Sequence, residues 1–218
     1  MKRKVIILSN TEWSIYNFRS ELVQKFSNDG YDVILVCDRQ DEKHYFNEAY
    51  KVHDISLNAK VGLFSEILNL GSLFLLFRKI KPDVVLSFTI KPNIYSAFLK
   101  IFFKYILIIN ITGLGKMFAD QKNFLTKLFF KHLYKIAISI ADTVFYQNKT
   151  ISTQLEFDST NQKYVLLPGS GVPKSSSKID YLNNCGDFRF VFVGRLLMNK
   201  GIKEYIFAAR DILKKYPN

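Results

Sequence analysis

The sequence predicts an α/β protein built on a Rossmann-like, doubly wound parallel sheet. Short segments that are apolar throughout alternate with longer segments in which apolar residues recur every three or four positions. Strands without a polar side are buried on both faces, so helices must cover both faces of the sheet. About six or seven predicted strands precede a Gly-, Ser-, Pro- and Asn-rich linker at 168–187, as a complete doubly wound domain requires.

Most of the predicted strands are short apolar runs, with Lys51–Ser56 a weaker one, and the longer predicted helices have apolar residues at helical spacing. The strands are expected at Lys4–Leu8, Tyr31–Cys37, Lys51–Ser56, Val84–Phe88, Ile106–Ile111, Thr143–Gln147 and Tyr164–Leu167. The helices are expected at Ile15–Asp29, Asp41–Ala49, Leu63–Lys79, Pro92–Phe103, Phe124–Ala141 and Asn148–Glu156. Gly30 caps the first helix, and Pro92 suits a first helical turn because it lacks an N–H group. These elements form one domain at 1–167.

A second, truncated domain is predicted at 188–218. Phe188–Val193 is expected to be a strand, Gly194 a turn, and a helix is expected to begin near Gly201. A strand end followed by a helix N-terminus favours an anionic ligand, because free N–H groups and the helix dipole point at it. Arg195 and Lys200 in the same loop indicate a di-anion or a diphosphate.

Composition narrows the class of partner. The formal net charge of +12 predicts an anionic partner, which could be a phosphorylated substrate, a nucleic acid or an anionic lipid surface. Nucleic acid is not expected, since no recognition motif accompanies the charge. Cys37 and Cys185 have no metal-binding spacing, and a reduced, cytoplasmic protein is expected. The apolar run near the N-terminus is too short for the core of a signal peptide.

The sequence lacks the motifs that are typical of several enzyme classes. There is no G-x-G-x-x-G fingerprint, so a nicotinamide or flavin cofactor is disfavoured. The three histidines have no metal spacing, and neither a metal nor a resident cofactor is expected. A hydrolase triad and a P-loop are likewise unsupported.

Four loops are selected as a candidate site, because parallel sheets bind ligands beyond the carboxyl ends of their strands. They are Ser9–Ser14, Asp38–Gln40, Thr89–Asn93 and Asn110–Lys116. The first loop contributes Glu12 and leads to Arg19 on the first helix. It either lines a cleft or is an ordinary helix entry with Ser14 as N-cap.

The other loops also admit two interpretations. Gly113 and Gly115 directly follow a strand, so they allow close backbone approach to a ligand or simply form a tight turn. Lys91 and Asn93 either face the same rim, with Asn93 donating to a hydroxylated ligand, or begin a helix without functional contact.

A basic, apolar helix is a candidate membrane surface. Lys127, Lys131 and Lys135 recur every four residues among aromatic and leucine side chains. A lysine face beside apolar residues suits an anionic bilayer surface, although an amphipathic helix packed on a sheet has a similar pattern.

Five sequence segments resemble the GT-B glycosyltransferases of family 4, in particular bacterial capsule and O-antigen enzymes. They are S-I-Y-N-F-R (14–19), the strand and loop at 82–95 with T-I-K-P-N-I-Y, N-I-T-G-L-G (110–115), P-G-S-G-V (168–172) and V-G-R-L-L-M-N-K-G-I (193–202). The resemblance implies an N-terminal domain for a lipid-linked or glycan acceptor and a C-terminal domain for a nucleotide-sugar. It implies that Gly194, Arg195 and Lys200 hold the donor diphosphate without a metal.

The resemblance also implies an acceptor cleft and a place in the cell. The acceptor-side residues are expected to be Glu12, Arg19, Lys91, Asn93, Asn110, Thr112, Gly113 and Gly115. The protein is expected on the inner face of the plasma membrane as a peripheral protein in surface polysaccharide synthesis.

The chain departs from the family pattern in its C-terminal part. The Glu-x7-Glu motif that holds the donor in this family does not occur, so the chain is not expected to transfer sugar by itself. A separate chain could supply the C-terminal domain. The alternatives are a non-catalytic module that binds a membrane surface or a partner, and an unrelated nucleotide-using Rossmann-type enzyme, which the missing fingerprint disfavours.

Overall fold

A computed structural model of the chain describes residues 2–39, 45–46, 50–57, 63–114, 124–171, 190–194, 196 and 198–216. The chain divides into two compact units, Met1–Lys174 and Ser175–Asn218. The division falls inside the segment predicted as a linker. Most of the predicted helix Asp41–Ala49 lies outside the described residues.

The first unit is an all-parallel sheet flanked by helices. Its strands are β1 (Lys4–Thr11), β2 (Asp32–Asp38), β3 (Lys51–Asp54), β4 (Val84–Phe88), β5 (Ile106–Ile111), β6 (Thr143–Tyr146) and β7 (Tyr164–Leu166). Its described helices are α1 (Glu12–Asn28), α2 (Leu63–Ile80), α3 (Ile90–Lys100), α4 (Phe124–Ile140) and α5 (Lys149–Leu155). The strand order is β3-β2-β1-β4-β5-β6-β7, which confirms the predicted Rossmann-like sheet. The order reverses between β1 and β4, where such sheets open a crevice for ligands.

The core lies on both faces of the sheet, and β1 shows why its strands are apolar throughout. Ile6 and Leu8 belong to one buried cluster, which also receives side chains from α2 to α5. Val5 and Ile7 belong to a second cluster, which α1 covers. Successive side chains of a strand point to opposite faces, so both sets must be apolar.

Helix α1 begins earlier than the sequence pattern predicts. It starts at Glu12, and Thr11 is the N-cap in place of the expected Ser14. The Thr11 hydroxyl accepts a hydrogen bond from the Ser14 backbone N–H at 3.1 Å. The sequence pattern missed this start because the first buried position of α1 is the charged residue Glu12.

The second unit contains helix α6 (Ile202–Lys215), preceded by a 3-10 turn at Met198–Lys200. The N-cap is Gly201 with a φ of +78°, as expected for a helix that begins there. The predicted strand is wrong over residues 190–193, which carry no strand. A strand requires a hydrogen-bonded neighbour. Here the Phe190 carbonyl instead accepts from the Tyr205 hydroxyl at 2.8 Å.

Over the described residues, none of the helices combines the length and apolar character that crossing a bilayer requires.

Candidate functional site

The crevice between β1 and β4 is bridged by a side-chain hydrogen bond. The Thr89 hydroxyl donates to the Asn10 side-chain oxygen at 2.6 Å. Thr89 has φ +74° and ψ 164°, a region populated mainly by glycine and costly for a β-branched residue. Strained residues of this kind concentrate at ligand sites, where the surrounding structure holds them in place. The loop after β4 is therefore fixed where the sheet topology predicts a ligand.

A buried guanidinium lies beside this crevice. Arg19 of α1 is 7% exposed, and its central carbon lies 4.1 Å from the centre of the Phe88 ring. One terminal nitrogen donates to the Ser14 carbonyl at 3.3 Å, while Nε is buried without a partner. No carboxylate among the described residues forms an ion pair with it. Burial lowers the pKa of Arg19 to about 10.

Arg19 and Phe88 line an open cleft of about 350 Å³ in the first unit. The described lining residues are Asn17, Phe18, Arg19, Ser20, Glu21, Leu22, Phe88, Asn110, Leu167, Gly169, Ser170 and Gly171. The side-chain oxygen of Asn110 is buried without a partner. We call this space the Arg19 cleft. It combines a cation, an unpaired acceptor and apolar walls.

Two of the predicted acceptor-side residues, Arg19 and Asn110, meet in this cleft. The segments 82–95 and 168–172 resemble family 4 glycosyltransferases, but the sequence did not place Phe88 or the segment Leu167–Gly171 in the candidate site. Phe88 is the last residue of β4, and the segment directly follows β7, so both lie at carboxyl ends of strands. The signals that could have found the segment are Gly169 and Gly171, which both have positive φ.

Asn93 joins three elements and is fully buried. Its side-chain nitrogen donates to the Asn110 carbonyl at 3.2 Å and to the Tyr134 hydroxyl at 2.8 Å. It therefore ties α3 to β5 and α4. Burial raises the pKa of Tyr134, so this hydroxyl stays neutral. Asn93 fixes the backbone beneath the cleft, and its own side-chain oxygen has no hydrogen-bond partner among the described residues.

Glu12 is held by partners from other parts of the chain. Its carboxylate accepts from Arg39 Nε at 2.9 Å and from the Phe46 backbone N–H at 3.2 Å. The hydrogen bond to Glu12 raises the pKa of Arg39. Glu12 is absent from the described lining of the Arg19 cleft. The pair links the first turn of α1 to the residue after β2, and Arg39 is a partner that the sequence did not reveal.

Lys91 forms an ion pair with Glu66 of α2 at 2.7 Å. The Tyr95 hydroxyl donates to the other oxygen of the same carboxylate. Lys91 is also absent from the described cleft lining. The contact fastens the start of α3 to α2.

The loop after β5 is described only in part. Thr112 and Gly113 follow the strand, and Gly113 has a φ of +155°, which L side chains rarely adopt. A Cβ atom at Gly113 would meet nothing within 4 Å, so backbone conformation rather than space favours glycine there. Gly115 and Lys116 lie outside the described residues.

On α4, two of the predicted membrane-surface lysines form ion pairs with Glu156. Lys131 Nζ lies 2.5 Å from a Glu156 oxygen, and Lys135 pairs with the other oxygen. These hydrogen bonds lower the pKa of Glu156 to about 2. The side chain of Lys127 lies outside the described part of the chain. The exposed apolar residues Leu128, Phe129 and Ile136 belong to the same helix.

The predicted donor-side residues belong to the second unit. Gly194 and Lys200 are exposed, and Lys200 ends the 3-10 turn before α6. Arg195 lies outside the described residues. The diphosphate role of all three remains a prediction. No group of three or more potential metal ligands occurs in the part of the chain that the structure covers.

Solved structures with a similar fold include two nucleotide-sugar or sugar-phosphate enzymes. A UDP-N-acetylglucosamine 2-epimerase matches with a TM-score of 0.54 and 16% identity, over 76% of this chain and 48% of that one. The sucrose-phosphate synthase from Thermosynechococcus elongatus matches with a TM-score of 0.57 and 10% identity, over 76% and 47%.

A third similar structure is the lipopolysaccharide outer core galactosyltransferase WaaB. It matches with a TM-score of 0.52 and 9% identity, over 75% of this chain and 44% of that one. The chain therefore spans about half the length of the solved proteins it matches. These similarities establish the fold.

The sequence itself identifies the family. No curated protein matches the chain. The family described as "Glycosyl transferase 4-like" matches residues 4–148, which is more than half of the chain and includes β1 to β6. This confirms the resemblance to family 4 glycosyltransferases, and the chain belongs to the glycosyl transferase 4-like family.

Proposed function

We propose that the chain is part of a hexosyltransferase that moves a sugar from a nucleotide-sugar to a lipid-linked or glycan acceptor in surface polysaccharide synthesis. The observation that carries this proposal is the family match over the first unit, which contains a cleft at the carboxyl ends of its strands. The names of the epimerase and the galactosyltransferase support a hexose as the transferred sugar. Residues of the first unit then bind the acceptor.

In this proposal the second unit contributes to donor binding. Breaking the bond between the sugar and the diphosphate leaves negative charge on the departing phosphate oxygen. Arg195 and Lys200 stabilise that charge, and Gly194 lets the backbone approach it closely. The acceptor hydroxyl forms the new glycosidic bond, and its proton passes to the departing phosphate oxygen. No resident metal or cofactor has a role.

Because the chain is not expected to transfer sugar by itself, transfer is tested by incubating it with a separate chain that carries the Glu-x7-Glu motif of the family. UDP- and GDP-linked hexoses serve as donors, and polyprenyl-diphosphate-linked sugars serve as acceptors. The readouts are nucleoside diphosphate release and the mass of the product lipid. Lys200→Ala is expected to lower turnover by about tenfold or more, since a charge-assisted contact to the leaving group is removed. Lys214→Ala, an exposed lysine in the last turn of α6, is the matched control. Equal turnover of the two variants would contradict the donor role of Lys200.

We further propose that the protein is peripheral on the inner face of the plasma membrane. This rests on the lysines of α4 beside exposed Leu128 and Phe129. Lys131 and Lys135 both pair with Glu156, which neutralises part of their charge. Insertion of the apolar side chains is therefore expected to contribute more to membrane binding than electrostatic attraction does. Sedimentation with anionic and neutral vesicles tests it, with Leu128→Ser/Phe129→Ser expected to weaken binding. Binding that is unchanged in this double variant would refute the surface.

The alternative is a non-catalytic module that binds a membrane surface or a partner through the same fold. The two experiments separate the hypotheses. Vesicle binding without sugar transfer under any donor and acceptor, even in the presence of the separate chain, favours the module. Transfer with or without vesicle binding favours the enzyme.

A further inference from the structure

The Arg19 guanidinium has only part of the compensation that a buried charge requires. Arg19 is only 7% exposed. In the described structure its guanidinium donates one hydrogen bond, to the backbone carbonyl of Ser14. The Phe88 ring offers cation–π attraction, but Nε remains unpaired. Burying a cation is unfavourable unless an anion or several acceptors surround it. An anion entering the cleft would supply what is missing.

The neighbours of Arg19 indicate what the anion is attached to. The Asn110 side-chain oxygen is an unpaired buried acceptor, which fits a hydroxyl donor. Ser170 offers a hydroxyl group, and Phe88 and Leu167 offer apolar surface. A volume of about 350 Å³ is at the small end of the range for ligand pockets, about 300–1,000 Å³. The cleft suits one hydroxylated ring with an anionic substituent.

No carboxylate among the residues that the structure describes fills this role. Glu21 is the acid among the described lining residues, and it is exposed. It forms no ion pair with Arg19 in the described structure. Glu12, the other acid on the helix near Arg19, is already paired with Arg39.

We propose that the Arg19 cleft is a binding subsite for the phosphate ester of a hydroxylated sugar, with Arg19 binding the phosphate and Asn110 accepting from a sugar hydroxyl. The proposal rests on the proposed function, because the reaction offers two sources of this group. One is the acceptor, if its sugar is linked to a lipid through phosphate. The other is the nucleotide-sugar donor.

Calorimetric titration of the purified chain tests the subsite directly. The probes are glucose 1-phosphate, methyl glucoside and UDP. Glucose 1-phosphate is expected to bind about ten- to a hundredfold more tightly than methyl glucoside, the usual effect of a hydrogen bond to a charged group. Equal affinity for the charged and the neutral sugar would overturn the proposal.

Substitutions connect the preference to the cleft. Arg19→Gln is expected to remove the preference for the phosphate, whereas Arg78→Gln, an exposed arginine on α2, leaves it unchanged. Asn110→Asp adds a carboxylate that repels the phosphate of the ligand. It is expected to weaken the binding of glucose 1-phosphate about tenfold and to leave the binding of methyl glucoside unchanged. Circular dichroism confirms folding of each variant. If Arg19→Gln does not fold, the affinity of Asn110→Asp for glucose 1-phosphate tests the proposal instead.

Competition distinguishes the two sources of phosphate. If the cleft binds the acceptor, saturating UDP leaves glucose 1-phosphate affinity unchanged. If the cleft binds the donor, UDP displaces glucose 1-phosphate, and Arg19→Gln weakens UDP as well. Either result supports the subsite.

The outcome is also separable from the fate of the proposed function. Phosphate-selective binding without sugar transfer, even in the presence of the separate chain that carries the Glu-x7-Glu motif, would keep the subsite and refute the transferase. Sugar transfer that Arg19→Gln leaves unchanged, with no phosphate preference in binding, would keep the transferase and refute the subsite.

Discussion

The two charged residues in the buried stripe of α1 have different electrostatic surroundings. Glu12 is paired with Arg39 and accepts a backbone N–H, so its charge is compensated within the fold. Among the described residues, Arg19 contacts one backbone carbonyl and the aromatic rings of Phe18 and Phe88, and no carboxylate. A buried charge with so little compensation reduces stability, and residues that do so often serve binding instead.

Replacing Arg19 with an apolar residue is expected to stabilise the protein. Because the pKa of Arg19 falls to about 10 on folding, its charged form opposes folding at every pH below about 10. This penalty fades as the pH rises from about 10 towards the ordinary value. Arg19→Met is therefore expected to raise the free energy of unfolding at pH 7 by up to about 2 kcal/mol. Urea unfolding measures it.

Arg78→Met, at an exposed position of α2, is the control and should stay within about 0.5 kcal/mol of the wild type. A loss above about 1 kcal/mol in Arg19→Met would mean that the contacts to Ser14 and Phe88 outweigh desolvation.

Thr89 allows a separate test of backbone strain. Thr89→Ala removes the hydrogen bond to Asn10 and keeps the unfavourable φ, so it should cost about 1 kcal/mol. Thr89→Gly loses the same bond but relieves strain of about 1–3 kcal/mol. The glycine variant is thus expected to be more stable than the alanine variant in urea unfolding. The opposite order would show that Thr89 is unstrained.

At the scale of elements, Asn93 supports the junction of α3, β5 and α4. Asn93→Ala leaves the Asn110 carbonyl and the Tyr134 hydroxyl without their donor, at a cost of about 2–3 kcal/mol. Tyr134→Phe removes a single bond and should cost about 1 kcal/mol. The double variant should cost less than the sum, because both changes remove the same contact. Full additivity in chemical denaturation would argue against the network.

The contact between α4 and the end of α5 predicts a shifted titration. Lys131 and Lys135 lower the pKa of Glu156 to about 2, so its ionised form favours folding. That contribution is present above its ordinary pKa and is lost as the pH falls towards 2. In Lys131→Met/Lys135→Met, the Glu156 pKa is expected to rise to its ordinary range in a carbon-detected NMR titration. Lys149→Met, at the start of α5, is the control and should leave the pKa of Glu156 low.

How well each element could be predicted depended on what its buried face contains. Strands such as β1 were evident because both of their faces are apolar. The start of α1 was missed because Glu12 occupies a core position that periodicity assigns to apolar residues. The segment 190–193 has strand-like composition, but pairing is a tertiary property that composition does not supply.

At the scale of the whole molecule, topology explains which site residues could be predicted. The rule that ligands bind at carboxyl ends of strands led to Arg19 and Asn110, since Arg19 lies on the helix that follows β1 and Asn110 lies near the carboxyl end of β5. The same rule could not reveal that Glu12 and Lys91 are engaged by Arg39 and Glu66. Those partners lie 27 and 25 residues away in the sequence. Pairings at such separations become visible only when the chain is folded.

The two units are expected to differ in local stability. The residues Val5–Leu8 of β1 are fully buried and belong to two core clusters, whereas α6 has no buried residue among those the structure describes. Local opening of a helix without buried apolar contacts requires little free energy, so its amide hydrogens exchange readily. In native-state hydrogen exchange, the amides of Ile206 and Ile212 should exchange at least about 100-fold faster than those of Ile6 and Ile7.

Measuring both sets of amides in one sample removes differences of pH and temperature between them. If the α6 amides were as protected as those of β1, the helix would unfold only together with the first unit. A readily opened helix that carries part of a phosphate site would instead open less often when phosphate binds. Added UDP should therefore slow exchange in α6 if Lys200 binds the donor, and leave β1 unchanged, because ligand binding stabilises the closed form selectively. If UDP slows exchange in Lys200→Ala as much as in the wild type, the protection comes from UDP bound at another site.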